Sequence, residues 1–215
     1  MTTPSRTRPL ALALLAVAVV AALLASTPAT AVPARAAPAT TSSPTATTVK
    51  RITLLTPAGH LRKRFPVVAT RKGRCWTSSA VNGRLYRCFR GDYIHDPCWK
   101  ESGRHSVVCL EKPWGTKVLR IRLTRKLPRT DSYGPALWGL RVGDGIGVGC
   151  TLSQGAGGTV DGQGISYFCQ RGWVLLEEPD RSTPLWTIGT ARWATDHYEP
   201  RGDHQLTTAW KAVVH

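Results

Sequence analysis

Acidic and histidine side chains are the first candidates for chemistry, and their spacing argues against catalysis. His95 and Asp96 are adjacent, and neighbouring side chains of an extended chain point to opposite faces, so they are poor partners for a triad. Glu177, Glu178 and Asp180 could supply the paired carboxylates of a glycosidase, but the proline among them favours a charged turn. No G-x-S-x-G motif occurs. These patterns favour a protein that is not an enzyme.

Cysteine spacing gives the clearest chemical signal in the chain. An even number of cysteines in an exported protein implies disulfides. Spacing alone does not fix their pairing, but nearest neighbours are favoured because the intervening segments carry turn residues such as Asn82-Gly83. In the chain-entropy model each closed loop contributes about 3 kcal/mol. The predicted pairs are Cys75–Cys88, Cys98–Cys109 and Cys150–Cys169.

A metal site is the alternative use of these cysteines. No C-x-x-C motif occurs, and successive cysteines are 13, 10, 11, 41 and 19 residues apart. That spacing does not fit a zinc ribbon or a zinc finger. With all six cysteines paired, no thiol is left for catalysis. We therefore predict no metal ion and no cofactor.

The first 36 residues predict export from the cell. Arg6 and Arg8 precede an unbroken run of Ala, Leu and Val from Leu10 to Ala25, and small residues suited to cleavage follow. The run is shorter than the ~20 residues of a membrane-spanning helix, which disfavours the alternative of an uncleaved anchor. We expect residues 1–36 to be a signal peptide and the mature, secreted protein to lack a transmembrane segment. Residues 37–49, rich in Ala, Thr, Pro and Ser, are expected to be a disordered tether.

Residues 50–215 show the alternation of β-strands. Leu119, Ile121 and Leu123 alternate with polar residues, and residues 206–214 repeat the pattern at the end of the chain. Further strands are predicted at residues 50–55 and 185–193, and no long stretch has a helical period. Short strands between turn signals predict an all-β domain, a disulfide-linked barrel or sandwich of short antiparallel strands.

An internal echo raises the question of two related halves. Two segments, one around Cys75 and Cys88 and the other around Cys150 and Cys169, share the order Gly, Cys, Thr, a turn and then Tyr-x-Cys-x-x-Gly. Duplication of a hairpin unit would explain the echo, and so would the coincidence of two disulfide hairpins. The corresponding halves would be residues 50–112 and 113–215.

A longer pattern of motifs runs through most of the sequence after residue 70. It consists of G-x-C-W-T-x-S at residues 73–79, R-C-x-x-G at 87–91, I-H-D-P-C at 94–98, P-L-W-T at 184–187 and T-A-W at 208–210. The pattern resembles secreted actinobacterial proteins of uncharacterised function. The chain departs from it at Asp92 and Ser166, where the family has Asn. The resemblance implies an extracytoplasmic domain with structural cysteines and implies no activity.

Positive charge is distributed unevenly. The formal net charge is +16, and residues 50–91 hold 11 Lys and Arg and no Asp or Glu, whereas residues 141–215 hold 6 basic and 8 acidic residues. A region of one sign attracts polyanions, and this attraction weakens with salt. The alternative is a solvated surface without a specific partner. The predicted contacts with a polyanion are the two densest clusters: Arg62, Lys63, Arg64, Arg71, Lys72 and Arg74.

These patterns together predict a secreted, non-enzymatic envelope or extracellular binding domain for anionic polymers. The expected partner is an anionic cell-wall polymer, an acidic glycan or an anionic lipid surface, and no stable nucleic-acid role is expected. Exposed tryptophans could stack on sugar rings. The alternatives are a secreted hydrolase with an unrecognised active site and an inhibitor of a secreted protease. A pocket with convergent polar groups would favour the hydrolase, and a broad basic face would favour the binding domain.

Overall fold

Two β-barrels make up most of the described chain. The structure, a computed structural model, describes residues 44–130, 136–155 and 157–215. It is almost entirely strand, so the predicted all-β class is confirmed. The predicted signal peptide at residues 1–36 and positions 37–43 of the predicted tether lie outside the described residues. Within the described ranges, no helix has the length and apolar character needed to cross a membrane.

The strands are numbered in chain order. They are β1 (Thr48–Ile52), β2 (Val67–Ser78), β3 (Tyr86–Arg90), β4 (Tyr93–Lys100), β5 (Ser106–Leu110), β6 (Val118–Leu123), β7 (Leu137–Val142), β8 (Gly149–Leu152), β9 (Thr159–Val160), β10 (Gln163–Cys169), β11 (Trp173–Asp180), β12 (Thr187–Trp193) and β13 (Tyr198–Ala212). A single 3₁₀ turn at Gln170–Gly172 joins β10 to β11.

The N-terminal barrel consists of strands β2 to β6. Consecutive strands pair antiparallel, and β6 closes the barrel by pairing in parallel with β2. In a meander with an odd number of strands the first and last strands run in the same direction. The closing pair must therefore be parallel.

The C-terminal barrel is formed by β7, β8 and β10 to β13. These strands pair antiparallel in the order given, and β13 returns to β7 to close the barrel, while β9 pairs only with β10. Strand β13 is long, with 15 residues. Its first half pairs with β12, and its second half pairs with β7 on one edge and in parallel with β1 on the other.

Strand β1 corrects the end of the predicted tether. The strand begins at Thr48, and the hydroxyl of Thr47 donates to the carbonyl of Leu206 at 2.5 Å. The backbone N–H of Trp186 in turn donates to that hydroxyl at 2.9 Å. Thr and Val favour strands, and the free edge of β13 gives them a hydrogen-bonding partner that composition alone does not reveal.

The division predicted after residue 112 is also corrected. Strand β6 lies beyond that point but belongs to the N-terminal barrel, whereas β1 belongs with the C-terminal barrel. The boundary therefore falls between Leu123 and Leu137. The two barrels differ in strand number. Each of the two echoed sequence segments nevertheless contains a disulfide between directly opposed residues of an antiparallel strand pair.

The three nearest-neighbour disulfides are confirmed. They are Cys75–Cys88, Cys98–Cys109 and Cys150–Cys169. Each joins residues that face each other across neighbouring strands, which brings the two Cβ atoms within reach of a disulfide. The sulfurs of Cys88, Cys98 and Cys109 lie within 4.8 Å of one another. Because all three are in disulfides, this cluster offers no thiolate to a metal ion.

Half-cystines fill much of the N-terminal barrel. Four of them are buried there together with Val107, Ile121 and Leu123. The predicted alternation in β6 is confirmed, since Ile121 and Leu123 are buried and Arg122 between them is exposed. The interior is therefore held by covalent links as well as by apolar contacts.

A second core lies where the barrels meet. Trp99 of β4 and Trp138 of β7 are both buried, with ring centroids 5.9 Å apart. The indole N–H of Trp99 donates to the carbonyl of Val213 at 3.0 Å, and the Asn82 side-chain amide donates to the carbonyl of Ala212 at 3.0 Å. The aromatic pair and these two hydrogen bonds connect the barrels, although Nε1 of Trp138 is buried without a hydrogen-bond partner among the described residues. The outer face of β2, β3 and β6 belongs to a barrel that is anchored at this junction.

Candidate polyanion-binding face

The cleft at the junction of the barrels is lined by basic and aromatic side chains rather than by carboxylates. It measures about 230 Å³, and its lining includes Arg84, Tyr86, Lys100 and His215 but no Asp or Glu. Burial raises the pKa of Tyr86, so its phenol stays protonated at neutral pH. Nε2 of His215 lies 3.1 Å from Nη2 of Arg62 and 3.2 Å from the carbonyl oxygen of Leu55, so this nitrogen is engaged within the protein. The cleft combines cations with a protonated phenol and offers no carboxylate as a general base.

Asp96 has a structural role rather than a place in a catalytic pair. Its buried carboxylate accepts hydrogen bonds from the Ser79 hydroxyl, the Ala80 N–H at 3.0 Å and Nε of Arg87 at 2.8 Å. These donors tie the chain that follows β2 to β4. The neighbouring His95 is not among them, and burial lowers the pKa of its imidazole.

The charged turn predicted at Glu177 and Glu178 is wrong. Both residues lie within β11, where the register against β12 shifts and Glu177 takes a φ of 54°. Between Leu176 and Asp180, β11 carries two residues more than β12, and this irregularity interrupts the pairing without ending the strand. Oε1 of Glu177 accepts from the Gly164 N–H at 2.6 Å, whereas Oε2 of Glu178 lies 3.4 Å from Arg181. The two carboxylates therefore serve different partners.

The first predicted basic cluster lies in the loop between β1 and β2. Arg62 is half-buried because its Nε donates to the carbonyl of Leu55 at 2.9 Å. Lys63 and Arg64 are exposed, and Cζ of Arg64 lies 4.8 Å from the ring centroid of Phe65. Arg62 therefore supports the fold, and only the other two cations of this cluster face solvent.

The second predicted cluster lies in β2 and is divided by strand alternation. Cys75 faces the barrel interior, and alternation places Arg71, four residues earlier, on the same side of β2 as Cys75, although the Arg71 side chain is exposed. Lys72 and Arg74 are exposed on the opposite, outer side. The first cluster precedes β2, and the start of this strand at Val67 is separated from Arg74 by roughly 23 Å, at ~3.3 Å per residue. Of the six predicted contacts, Lys72 and Arg74 are the pair that shares the outer face.

Two aromatic rings lie beside Arg74 on this outer face. Because Cys75 and Cys88 oppose each other and face inward, the next pair along the ladder, Arg74 and Phe89, opposes on the outside. Cζ of Arg74 is 6.0 Å from the Phe89 ring centroid. The indole of Trp76 stacks on Phe89, with centroids 3.5 Å apart and planes at 14°. Trp76 remains 39% exposed.

Trp76 lies on the outer side because it directly follows the inward-facing Cys75 and shares a side of β2 with Arg74. A β-bulge begins at the same point, where β2 carries one residue more than β3, so both Trp76 and Thr77 lie opposite Arg87. Cζ of Arg87 lies 5.9 Å from the indole centroid, while its Nε is bound to Asp96. Arg87 is therefore neutralised within the protein and positions the ring.

Strand β6 and the segment that follows it add cations to the same side. Arg122 is the parallel partner of Lys72, and both are exposed. Arg125 and Lys126 follow β6 and are also exposed. An open groove of about 450 Å³ is lined by the latter two residues together with Arg74 and both rings.

We call this surface the cationic–aromatic face. No ion pair within the described ranges involves any of its five cations. Their charge is therefore available to an anionic ligand. The face comprises Lys72, Arg74, Trp76, Phe89, Arg122, Arg125 and Lys126.

Arg120, the outward residue before Arg122 on β6, is by contrast neutralised. Its Nε and Nη2 donate to the two carboxylate oxygens of the buried Glu101, each at 2.8 Å, and the Ser106 hydroxyl donates at 2.7 Å. Burial alone would raise the pKa of Glu101, but the hydrogen bonds from Arg120 and Ser106 outweigh it and the pKa is lowered. The carboxylate therefore stays ionised and keeps Arg120 engaged.

Part of the face could have been found from the sequence. Pairing Cys75 with Cys88 was predicted, and it implies that the residues flanking them oppose each other on the outside. That step leads to both rings. The parallel pairing of β2 with β6 has no local signal, and the cations it brings were missed. The members that sequence reasoning did not name are Trp76, Phe89, Arg122, Arg125 and Lys126.

Comparison of the chain with protein-family models, curated proteins and solved structures finds no match in any of the three. Function therefore has to be inferred from the geometry and charge of the face itself.

Proposed function

We propose that this protein is an extracellular domain that binds anionic polymers through the cationic–aromatic face and does not transform them. The observation that carries the proposal is a set of five exposed cations, unpaired within the described ranges, beside two rings on one side of a rigid barrel. Such a surface attracts polyanions and concentrates them. The three disulfides support an oxidising, extracellular setting.

The distribution of charge also supports binding on the N-terminal barrel. Residues 141–215, which form nearly all of the C-terminal barrel, hold 6 basic and 8 acidic residues. An approaching polyanion is therefore drawn to one side of the molecule rather than to its whole surface.

A secreted hydrolase is less well supported. The cleft between the barrels contains no carboxylate, and the carboxylates of Asp96 and Glu101 are buried in structural networks. A hydrolase would be expected to hold its acid and base in a concave pocket, within reach of one bound substrate.

Neutralising the face should sharply reduce retention by a polyanion. We expect a five-fold Gln variant to bind heparin at least about 10-fold more weakly than the wild type at ~0.1 M salt. The residues replaced in this variant are Lys72, Arg74, Arg122, Arg125 and Lys126. Its log affinity should also fall less steeply with log salt, by roughly one unit of slope for each cation that no longer pairs with the polymer. Elution from a heparin column and titration at several salt concentrations measure both effects.

The control removes the same charge from the other barrel. It replaces Arg141, Arg171, Arg181, Arg192 and Arg201 with Gln, so that the two variants have equal net charge. Retention close to that of the wild type is expected for this control. Equal weakening in both variants would mean that net charge alone governs binding and would contradict the proposal, as would absence of wild-type retention at low salt.

A further inference from the structure

The cationic–aromatic face contains more than charge. Lysine and arginine side chains alone are enough to bind a polyanion, as in contacts with a phosphate backbone. Here the groove of about 450 Å³ also has the rings of Trp76 and Phe89 in its lining. The Trp76 indole stacks on Phe89 but remains 39% exposed, and the exposed part forgoes favourable burial. The rings therefore indicate a ligand that has an apolar surface close to its negative charge.

The arrangement of the rings restricts the shape of that apolar surface. The centroids of Trp76 and Phe89 are 3.5 Å apart and the ring planes are nearly parallel, so each ring covers one face of the other and the pair leaves a single aromatic wall, rather than two separate platforms, for a ligand. Single-stranded nucleic acids are typically bound by several rings, each of which stacks on its own base. One wall suits a single flat unit whose edge carries the charge.

The cations lie where the charged edge of such a unit would be. Arg74 is within 6.0 Å of the Phe89 centroid, and Arg125 and Lys126 line the same groove. A sugar ring has an apolar face of C–H groups, and in an acidic glycan it bears a carboxylate or a sulfate at its rim. Such a unit can place its face on the Trp76 wall while its anion is held by arginine, a geometry that a guanidinium favours.

The groove extends beyond the space that one sugar ring would occupy. A second opening, lined by Gly73, Arg74, Phe89 and Thr124, shares two residues with the first and continues along β2. Beyond it lie the paired cations Lys72 and Arg122. A chain of several units can therefore run along the face and place successive anions on successive cations, which strengthens binding through the summed contacts.

We infer, resting on the proposed function, that the ligand is an acidic glycan, a chain of sugar rings bearing carboxylates or sulfates. Trp76 supplies the ring contact by which the protein discriminates an acidic glycan from charged polymers without rings. The Cys75–Cys88 disulfide is then the structural basis of this specificity, since the inward-facing Cys75 leaves Arg74 and Trp76 together on the outer side of β2.

The test compares four polymers on three proteins. The polymers are polygalacturonate, which carries carboxylates, heparin, which carries sulfates as well, polyphosphate, which has no rings, and oligo(dT). The proteins are the wild type, Trp76→Ala and Trp193→Ala. Trp193 is a matched control, because it is 49% exposed and packs against Tyr198 on the C-terminal barrel.

We expect Trp76→Ala to weaken binding of both glycans about 10-fold, the size of effect that loss of one stacking ring commonly has. Polyphosphate binding should change less than about 2-fold. Trp193→Ala should match the wild type throughout. Binding of polygalacturonate by the wild type would show that carboxylates suffice, whereas binding of heparin without binding of polygalacturonate would assign the anion as sulfate.

Trp76→Leu covers the case in which the alanine variant does not fold, because leucine keeps apolar bulk against Phe89 and removes only the indole. The inference is overturned if Trp76 variants lose polyphosphate as strongly as glycan, if glycan binding is unchanged, or if oligo(dT) binds more tightly than either glycan through Trp76. Failure of the proposed function looks different: the variant lacking five cations would then keep its affinity for all four polymers.

Discussion

Replacing Arg120 with glutamine should lower the free energy of unfolding at pH 7 by about 3 kcal/mol. Glu101 is only 3% exposed, and Arg120 supplies two of the three side-chain hydrogen bonds to its carboxylate. Without the arginine, the buried Glu101 carboxylate retains the Ser106 hydroxyl as the one remaining donor of these three hydrogen bonds. Breaking a buried pair on one side costs more than the pair itself contributes, because the remaining charge stays desolvated.

This loss should shrink in acid. In the wild type, burial alone would raise the pKa of Glu101, but Arg120 and Ser106 lower it. The stabilisation from this group is therefore fully present above its unfolded pKa of about 4.3 and is lost as pH falls through the lower, folded pKa. In the variant, burial should dominate and raise the pKa of Glu101, so ionisation destabilises the fold. Denaturant unfolding curves should therefore differ most above about pH 6 and converge near pH 3.

Arg122→Gln is the control for this prediction. Arg122 lies two residues further along β6, is exposed and forms no ion pair within the described ranges. Its replacement should change stability by less than about 0.5 kcal/mol at any pH. A loss in the Arg120 variant that is the same at pH 3 and pH 7 would show that packing of the arginine side chain, and not its charge, stabilises this part of the barrel.

Local patterns in the sequence predicted the local structure well. Each disulfide closes a short segment that turns back on itself, so the nearest-neighbour pairing followed from turn chemistry. The alternation around Ile121 and the run at the end of the chain predicted β6 and the second half of β13. Both signals depend only on residues that are close in sequence, and such signals can be identified in a single chain.

The closure of the barrels could not be predicted in the same way. Strand β1 pairs with β13 through Thr48 and Thr208, which are far apart in sequence, and β2 pairs with β6 across three intervening strands. No residue pattern marks which of several possible edges a strand will join. The error in the predicted halves and in the extent of the tether arises from these long-range pairs.

The basic face was predicted only in part for a related reason. Counting charge along the chain groups residues that are neighbours in sequence, whereas a strand sends neighbours to opposite sides. Arg71 and Lys72 were therefore grouped together although alternation separates them. Arg62 was counted as a free cation, but it donates to the Leu55 carbonyl in a loop whose conformation is not encoded in any motif.

The disulfides connect the core of the N-terminal barrel to its surface chemistry. Cys75 and Cys88 face inward, and this fixes Arg74, Trp76 and Phe89 on the outer side. Together with Cys98 and Cys109, these two half-cystines occupy much of the barrel interior. A small barrel whose core is built largely from disulfides should depend on them for packing and not only for chain entropy.

Replacing Cys98 and Cys109 together with alanine should therefore lower the free energy of unfolding by about 4 to 5 kcal/mol. The loop entropy accounts for about 3 kcal/mol, and the sulfurs removed from a buried site leave a cavity that adds the rest. Cys98 and Cys109 are 0% and 3% exposed. Guanidinium unfolding of the variant and the wild type measures the difference.

The matched variant replaces Cys150 and Cys169 with alanine, and it separates the two contributions. Its disulfide spans 19 residues against 11, so chain entropy alone would make its loss costlier by about 0.5 kcal/mol. Cys169, however, is only half-buried, and the C-terminal barrel has a larger apolar core around it. We therefore expect this variant to lose less stability than the Cys98/Cys109 variant. The opposite order would mean that loop length, and not packing inside the barrel, sets the contribution of these disulfides.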